Sequence, residues 1–225
     1  MQLAKPFVDV GLNTNRLAQM LDFWQAEIGA SFDHVLPIRR GLKQHRHLVN
    51  NSVLKINEYS EALPERPPAG YAELLIARAG LDRDIVKTDP EGLTVRLVPS
   101  GAHGVSQIGI RLAVRDAAAH GCFLREGLGL VEVAKNAFRA GETMIFIEQS
   151  ERAPHASSFE GTGFRYITFQ VFKCDTEHAH VLAHGGRERM APTTLGSTAR
   201  ISMISDPDGN WIEISQRASL VGSLE

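Results

Sequence analysis

The residues able to do chemistry in this 225-residue sequence are nine histidines, two cysteines and a scatter of carboxylates. His45 and His47 stand two apart, so a strand would put both on one face as half of a metal site, but the neighbouring Lys43 and Arg46 predict a solvated hairpin instead. His178, His180 and His184 fall in a helical stretch. The last two have i, i+4 spacing but lack the Glu of a His-Glu-x-x-His motif, so they are expected on an exposed helix face. Cys122 and Cys174 are expected to be structural thiols rather than nucleophiles. The sequence holds no Gly-x-Ser-x-Gly elbow, no phosphate-cradling glycine loop and no dinucleotide fingerprint. Gly127 and Gly129 are explained by a helix end.

Charge and composition narrow the partners. With 24 Lys+Arg against 26 Asp+Glu and no basic run, the chain lacks the counterion-release term that drives nucleic-acid binding and has nothing to offer an anionic membrane. Two cysteines cannot frame a secreted disulfide scaffold, and neither a signal-peptide core nor a membrane-length apolar run is present. The expectation is a cytoplasmic protein that binds a small molecule.

The elements that must position any site come from an internal repeat. A strand-like opening recurs at Val8–Asn13, Tyr71–Ile76, Gln107–Leu112 and Tyr166–Val171. Three openings are followed by a helical pattern: Leu17, Leu21, Trp24 and Ile28 with Gly29 as the stop, then two stretches with Asp116 and Asp175 as N-caps. The second unit has no convincing helix. Each unit closes with another alternating strand, at Val53–Asn57, Leu93–Val98, Met144–Glu148 and Trp211–Ser215. Asp89-Pro90-Glu91-Gly92 and Asp206-Pro207-Asp208-Gly209, 117 residues apart, read as type I turns leading into the last strand of units two and four.

This spacing predicts two tandem domains of two β-α-β-β-β units. Residues 1–100 would form an N-terminal domain (units 7–59 and 70–99) and residues 104–217 a C-terminal one (units 105–150 and 163–217). Residues 64–70 and 155–163 would be linkers, and 218–225 a tail outside the fold. The fold class is α+β, with curved mixed sheets around open clefts and helices outside.

From Phe7 to Gln216, and above all in Val10-Gly11-Leu12-Asn13 and Ser205-Asp206-Pro207-Asp208-Gly209-Asn210-Trp211-Ile212-Glu213-Ile214, the sequence resembles the vicinal oxygen chelate superfamily. That superfamily includes glyoxalase I, type I extradiol dioxygenases, methylmalonyl-CoA epimerase and the fosfomycin and bleomycin resistance proteins. The resemblance implies metal ligands at the start of a unit's first strand and in its last strand. The first-strand positions are Asp9, Tyr71, Gln107 and Tyr166; the last-strand positions are Lys55, Arg96, Phe146 and Glu213. Alternation agrees for the later units, since Ile108, Ile110, Ile167, Phe169, Ile212 and Ile214 point the other way.

In the C-terminal half, Gln107 and Glu213 are the implied ligands for one divalent metal (Fe, Mn, Zn or Ni), an incomplete set because Tyr166 stands where a His is expected and Phe146 supplies no donor. Without metal, the resemblance leaves Glu213 as base, Tyr166 as acid and Gln107 as a third polar group for proton transfer on a small oxygenated substrate, as in a lyase or isomerase. The His, His, Glu triad of an extradiol dioxygenase would fall on Gln107, Tyr166 and Glu213 and match only at Glu213, so oxygen activation is disfavoured.

The alternative is a metal-free binding or resistance protein, with Phe146, Trp211 and Tyr166 as an apolar wall and Arg111 and Gln170 among its polar anchors. In the N-terminal half, Lys55 and Arg96 would repel a metal and are expected to pair with Asp9 and Glu73, making that half a scaffold. The residues leave open whether the cleft closes within one chain or in a homodimer.

Overall fold

The computed structural model describes residues 1–154 and 158–224, so part of the expected linker at 155–163 lies outside the described residues. In chain order the first unit holds β1 (Asp9–Thr14), α1 (Leu17–Leu21, running on as a π-helical turn over Asp22–Glu27), β2 (Ser31–Arg39), β3 (Leu42–Val49) and β4 (Ser52–Tyr59). The second holds only strands: β5 (Tyr71–Arg78), β6 (Ile85–Thr88) and β7 (Thr94–Pro99). The third holds β8 (Ile108–Val114), α2 (Ala117–Cys122, continued by a π-helical turn over Phe123–Gly127), β9 (Val131–Ala134), β10 (Ala137–Ala140) and β11 (Thr143–Gln149). The fourth holds β12 (Gly163–Gln170), α3 (Cys174–Ala183), β13 (Arg187–Leu195), β14 (Ala199–Ser205) and β15 (Trp211–Arg217), and is followed by α4 (Ala218–Val221).

Local chemistry accounts for most boundaries. Gly29, at φ +77°, ends the first helix in the left-handed region that glycine reaches without strain. The Asp116 carboxylate caps α2 by accepting from Ala118 N and Ala119 N at 2.9 and 3.0 Å. Asp175 does not cap α3. The N-cap is Lys173, and Asp175 pairs from the first turn with Arg200. Both Asp-Pro-x-Gly turns close as expected, with Gly92 N and Gly209 N donating to Asp89 O and Asp206 O at 3.0 Å. The predicted tail is partly ordered, because Ala218 N donates to Thr198 O at 3.1 Å at the start of α4.

The units pair differently from the expectation. One eight-stranded sheet runs β13-β14-β15-β12-β1-β4-β3-β2 and joins units one and four; the other, β6-β7-β5-β8-β11-β10-β9, joins units two and three. Antiparallel contacts between β1 and β12 (Asp9 opposite Thr168) and between β5 and β8 (Leu74 opposite Ile110) make the two seams. The expected division into 1–100 and 104–217 therefore cuts through the second sheet and across the first. Four alike units fit either pairing equally well. The short link between β7 and β8 favours the neighbouring antiparallel seam.

One hydrophobic core spans both sheets. It takes Leu12 and Ile56 from unit one, Leu74 and Ile76 from unit two, Ile108 and Ile110 from unit three, and Ile167, Phe169, Ile212 and Ile214 from unit four. The β14–β15 turn ties the sheets together. Asp206 Oδ2 lies 2.9 Å from His120 Nε2, Asp208 Oδ2 accepts from Arg115 N at 2.8 Å, and Asn210 Oδ1 accepts from Gly70 N at 2.7 Å. Tyr71 stacks on Phe164 and donates its hydroxyl to Trp211 O at 2.7 Å. Among the described residues, no helix is long and apolar enough to cross a membrane.

The other turn makes a stability prediction. Asp89 Oδ1 accepts from Glu91 N and Leu93 N at 2.9 and 2.8 Å, yet burial pushes its carboxyl up to about 6. A raised carboxyl holds its proton longer in the folded state, so this group's contribution is full below about pH 4 and is lost as pH rises through 6. Asp89→Asn keeps the accepting oxygen and removes the charge. Between pH 4 and 7, the wild type is expected to lose about 2 kcal/mol relative to the variant in urea unfolding, and parallel profiles would contradict it.

Candidate active site

Across the concave face of the eight-stranded sheet lies a cavity of about 470 Å³, built within one chain from units one and four. Its floor follows from strand register. Lys55 and Asn57 come from β4, Leu42 and Gln44 from β3, Tyr166 from β12, and Trp211 and Glu213 from β15, with members of a strand two residues apart and hence on the same face; Thr168, two residues after Tyr166, lies buried on that face beside Glu213. Its walls are apolar, with Leu36 and Ile38 from β2, Leu195 from β13, and Ile201 and Met203 from β14.

Two polar groups sit on the floor. In the first, Lys55 Nζ donates to Glu213 Oε2 and to Thr168 Oγ1, both at 2.7 Å, and Thr168 donates to the same Glu213 oxygen at 2.9 Å. Lys55 is 2% exposed, and burial lowers its pKa against the opposing pull of Glu213. Glu213 lies nearer the solvent and lines the cavity.

In the second, the Tyr166 hydroxyl accepts from Asn57 Nδ2 at 3.2 Å and, at a longer 3.4 Å, from Gln44 Nε2. Asn57 also donates to Asn13 Oδ1 at 2.9 Å, and Gln44 Nε2 donates to Asn57 Oδ1 at 3.0 Å. Because both neighbours of the Tyr166 oxygen are donors, its own proton is left to point at a ligand. Burial, and secondarily the Glu213 charge, push this phenol far above its ordinary range, so it stays protonated. It is a hydrogen-bond donor; proton release, the role expected of an acid, is opposed by its surroundings.

The expected residues divide between the two sheets. Tyr166, Glu213 and Trp211 line the cavity. Gln107 does not join them. It precedes β8 in the other sheet, where its Oε1 accepts from Asn51 Nδ2 at 3.0 Å. Arg111 and Phe146 are there as well, Arg111 holding Glu73 Oε2 at 2.8 Å with its guanidinium 5.7 Å over the Phe146 ring. Gln170 shares the eight-stranded sheet but is buried outside the cavity lining, donating to Asp9 Oδ2 at 3.1 Å.

The concave face of the seven-stranded sheet is filled by hydrocarbon from Leu75, Val98, Val105 and Met144, with Ala102 and Phe146 packed on it. The expected Arg96–Glu73 pair is present at 2.7 Å. Asp9, however, binds Lys5, leaving Lys55 for Glu213. Unit one is thus half of the site and not a scaffold. Lys55, Asn57, Gln44 and Thr168 were missed as its partners. The signal available for two of them was period-two extension, from Lys55 to Asn57 and from Tyr166 to Thr168.

The remaining candidates are structural. Arg46 is buried, contrary to a solvated hairpin, and His47 is fully buried against Gln25 at 2.8 Å, while His45 pairs with Glu58 at 3.0 Å. His178 is buried and meets Glu188 at 3.0 Å. Cys122 is exposed, and burial raises the Cys174 thiol to about 11.

A divalent ion does not fit the donor set of the cavity. Of the family positions that meet there, Glu213 alone carries a metal-binding group, and a lysine ammonium already holds it. Among the described residues, no cluster of three His, Cys, Asp or Glu side chains is arranged around a common centre.

Paired βαβββ units curved around a polar-floored cleft define a class of protein, and the comparisons agree. Residues 104–214, just under half of the chain, match the family model of the Glyoxalase/Bleomycin resistance protein/Dioxygenase superfamily. A glyoxalase I variant from Zea mays superposes with a TM-score of 0.76 at 12% identity, covering 100% of this chain and 96% of that one. A putative dioxygenase from Bacillus subtilis gives 0.67 at 11% identity, over 96% of this chain and 85% of its own. Identities this low speak to fold alone. No curated protein matches the sequence significantly.

Proposed function

We propose that the cavity of the eight-stranded sheet is a metal-independent proton-transfer site for a small oxygenated substrate, of the lyase or isomerase type. The observation that carries this reading is the Lys55 ammonium, 2.7 Å from both Glu213 Oε2 and Thr168 Oγ1, which supplies from a side chain the positive charge such a site needs. A carbonyl oxygen placed between Lys55 and the Tyr166 hydroxyl meets two donors. The Glu213 oxygen not engaged by Lys55 takes the proton from the adjacent carbon, and the C–H electron pair moves to the carbonyl oxygen as an enolate. With a hydroxyl on the α-carbon, its O–H proton passes to the enolate oxygen, the hydroxyl carbon becomes the new carbonyl, and the Glu213 proton returns to the former carbonyl carbon, completing an isomerisation; with a β-substituent, the enolate pair forms the C=C bond as the substituent leaves with its bonding pair and takes up the Glu213 proton, completing a lyase reaction.

The test is deuterium uptake in D2O by a panel of small α-hydroxy and α-keto compounds, followed by proton NMR in the presence of EDTA. Exchange is expected to survive chelation and to fall about 100-fold or more in Glu213→Gln. Dependence on added metal, or full activity in the variant, would overturn the reading. A second reading, binding without turnover, draws on the aromatic cluster of Phe159 with Tyr166 and Trp211, at 5.3 and 5.1 Å between ring centres. It predicts ligand-induced stabilisation with no exchange.

A further inference from the structure

Charge in and beneath the cleft is not balanced. Lys55, Arg189 and Arg217 line it, with Arg46 on the same face of β3 behind Gln44, and the lining carboxylate, Glu213, is already neutralised by Lys55. Asp9 is taken by Lys5 at 2.8 Å. Arg189 has outlets of its own, donating to Ser205 Oγ at 2.9 Å and lying 5.5 Å over the Trp211 ring. Arg46 and Arg217 differ. The Nε of each is buried and has no hydrogen-bond partner among the described residues. Arg46 is only 6% exposed, and its Nη1 is spent on Gln44 Oε1 at 2.8 Å. Burial, and then the charge of Arg217, lower its pKa against the weaker opposing pull of Asp9 and Glu213.

Two like charges with dry, unpaired donors are a standing cost to the folded protein. A neutral ligand leaves that cost in place, and a cation adds to it. A planar anion offsets the repulsion, because the Arg217 guanidinium that lines the cavity matches the two oxygens of a carboxylate, while Arg46 acts from behind through its charge. The apolar walls require the rest of the ligand to be hydrocarbon, and about 470 Å³ suits a body of modest size.

We infer that the ligand of this cleft is an organic carboxylate on an apolar body, its charged end held by Arg217 with Arg46 behind it. This rests on the cleft being the ligand site, and it adds the chemical class of what enters. The reacting carbonyl and the carboxylate then occupy separate places, the first at Lys55, Tyr166 and Glu213.

Calorimetric titration with 4-phenylbutyrate and octanoate, set against their uncharged amides, tests it. Each acid is expected to bind at least about tenfold more tightly than its amide. In Arg217→Gln the acids should fall to the level of the amides, while the unliganded variant melts no lower than the wild type because a repulsion has been relieved. Arg46→Gln should narrow the same gap and serves if the first variant does not fold. Equal binding of acid and amide, both quenching Trp211 fluorescence, sinks the carboxylate inference and leaves the cleft reading standing. Failure of all four compounds to bind overturns the inference. Acid binding retained without any deuterium exchange supports it and overturns the proton-transfer reading alone.

Discussion

Replacing Glu213 with alanine is expected to destabilise the protein by about 3–5 kcal/mol, while the double variant Lys55→Met, Glu213→Leu is expected to be as stable as the wild type or more so. The single change leaves the buried Lys55 ammonium with Thr168 Oγ1 at 2.7 Å and no hydrogen-bonded carboxylate, Asp9 acting on it only through its charge. Desolvation of that charge is then uncompensated. The double change removes both charges and fills the space with hydrocarbon, as the walls around Ile201 and Met203 already do.

The single variant also has a pH signature. Burial already lowers the Lys55 pKa, and loss of Glu213 lowers it further. Between that lowered folded value and the unfolded value of about 10.4, the unfolded chain holds more protons, so stability of Glu213→Ala should climb as pH rises towards 10. Urea unfolding of the three proteins at pH 7 and pH 9.5 reads both effects. Equal stability of the single variant and the wild type at pH 7 would mean that the pair is solvated, and the argument that Lys55 supplies the site's fixed charge would fail with it.

The fold was more legible than the site, and for a physical reason. Alternation and turn chemistry are local, so the strands around Tyr166, Glu213 and Lys55, both Asp-Pro-x-Gly turns and the superfamily could be read from short windows. Which unit pairs with which is a long-range choice among near-equivalent repeats. That choice decided the site, because placing unit four beside unit one brings Lys55 to Glu213 and separates Gln107 from both. Of the positions implied by the resemblance, Lys55, Tyr166 and Glu213 line one cavity, while Gln107 and Phe146 belong to the other sheet. Lys55, expected to repel a metal and to pair with Asp9, instead pairs with Glu213 in the cavity. The filling of the second cleft by Val105 and the turn at Ala102–Gly104 was not visible either, since a short apolar loop segment carries no mark of the face it covers.

Gly11 sets the position of the Tyr166 phenol, and on the proposed function Gly11→Ala should therefore cost both stability and activity. Gly11 is paired across the seam with Tyr166 and lies beside Lys55 on the other side. A Cβ added there would fall 2.1 Å from Tyr166 Cε1 and 2.3 Å from Cζ, so the ring lies flat on the glycine backbone. Conformational freedom is not what this glycine provides; it provides room.

The alanine methyl must lift the ring, which pulls its hydroxyl away from Asn57 and Gln44 and drives it into the cavity. Overpacking of this kind costs about 1–3 kcal/mol, more than the ~0.4–1 kcal/mol that Gly→Ala returns by restricting the unfolded chain. Deuterium exchange should drop about 100-fold, the loss expected for one oxyanion donor, and Tyr166→Phe should show a comparable drop without the stability cost of the clash. In a Tyr166→Leu background the same methyl meets no ring, so its destabilisation should shrink to below about 1 kcal/mol, a coupling that a double-mutant cycle reads directly. Additive effects in that cycle would show that the glycine serves the strand and not the phenol.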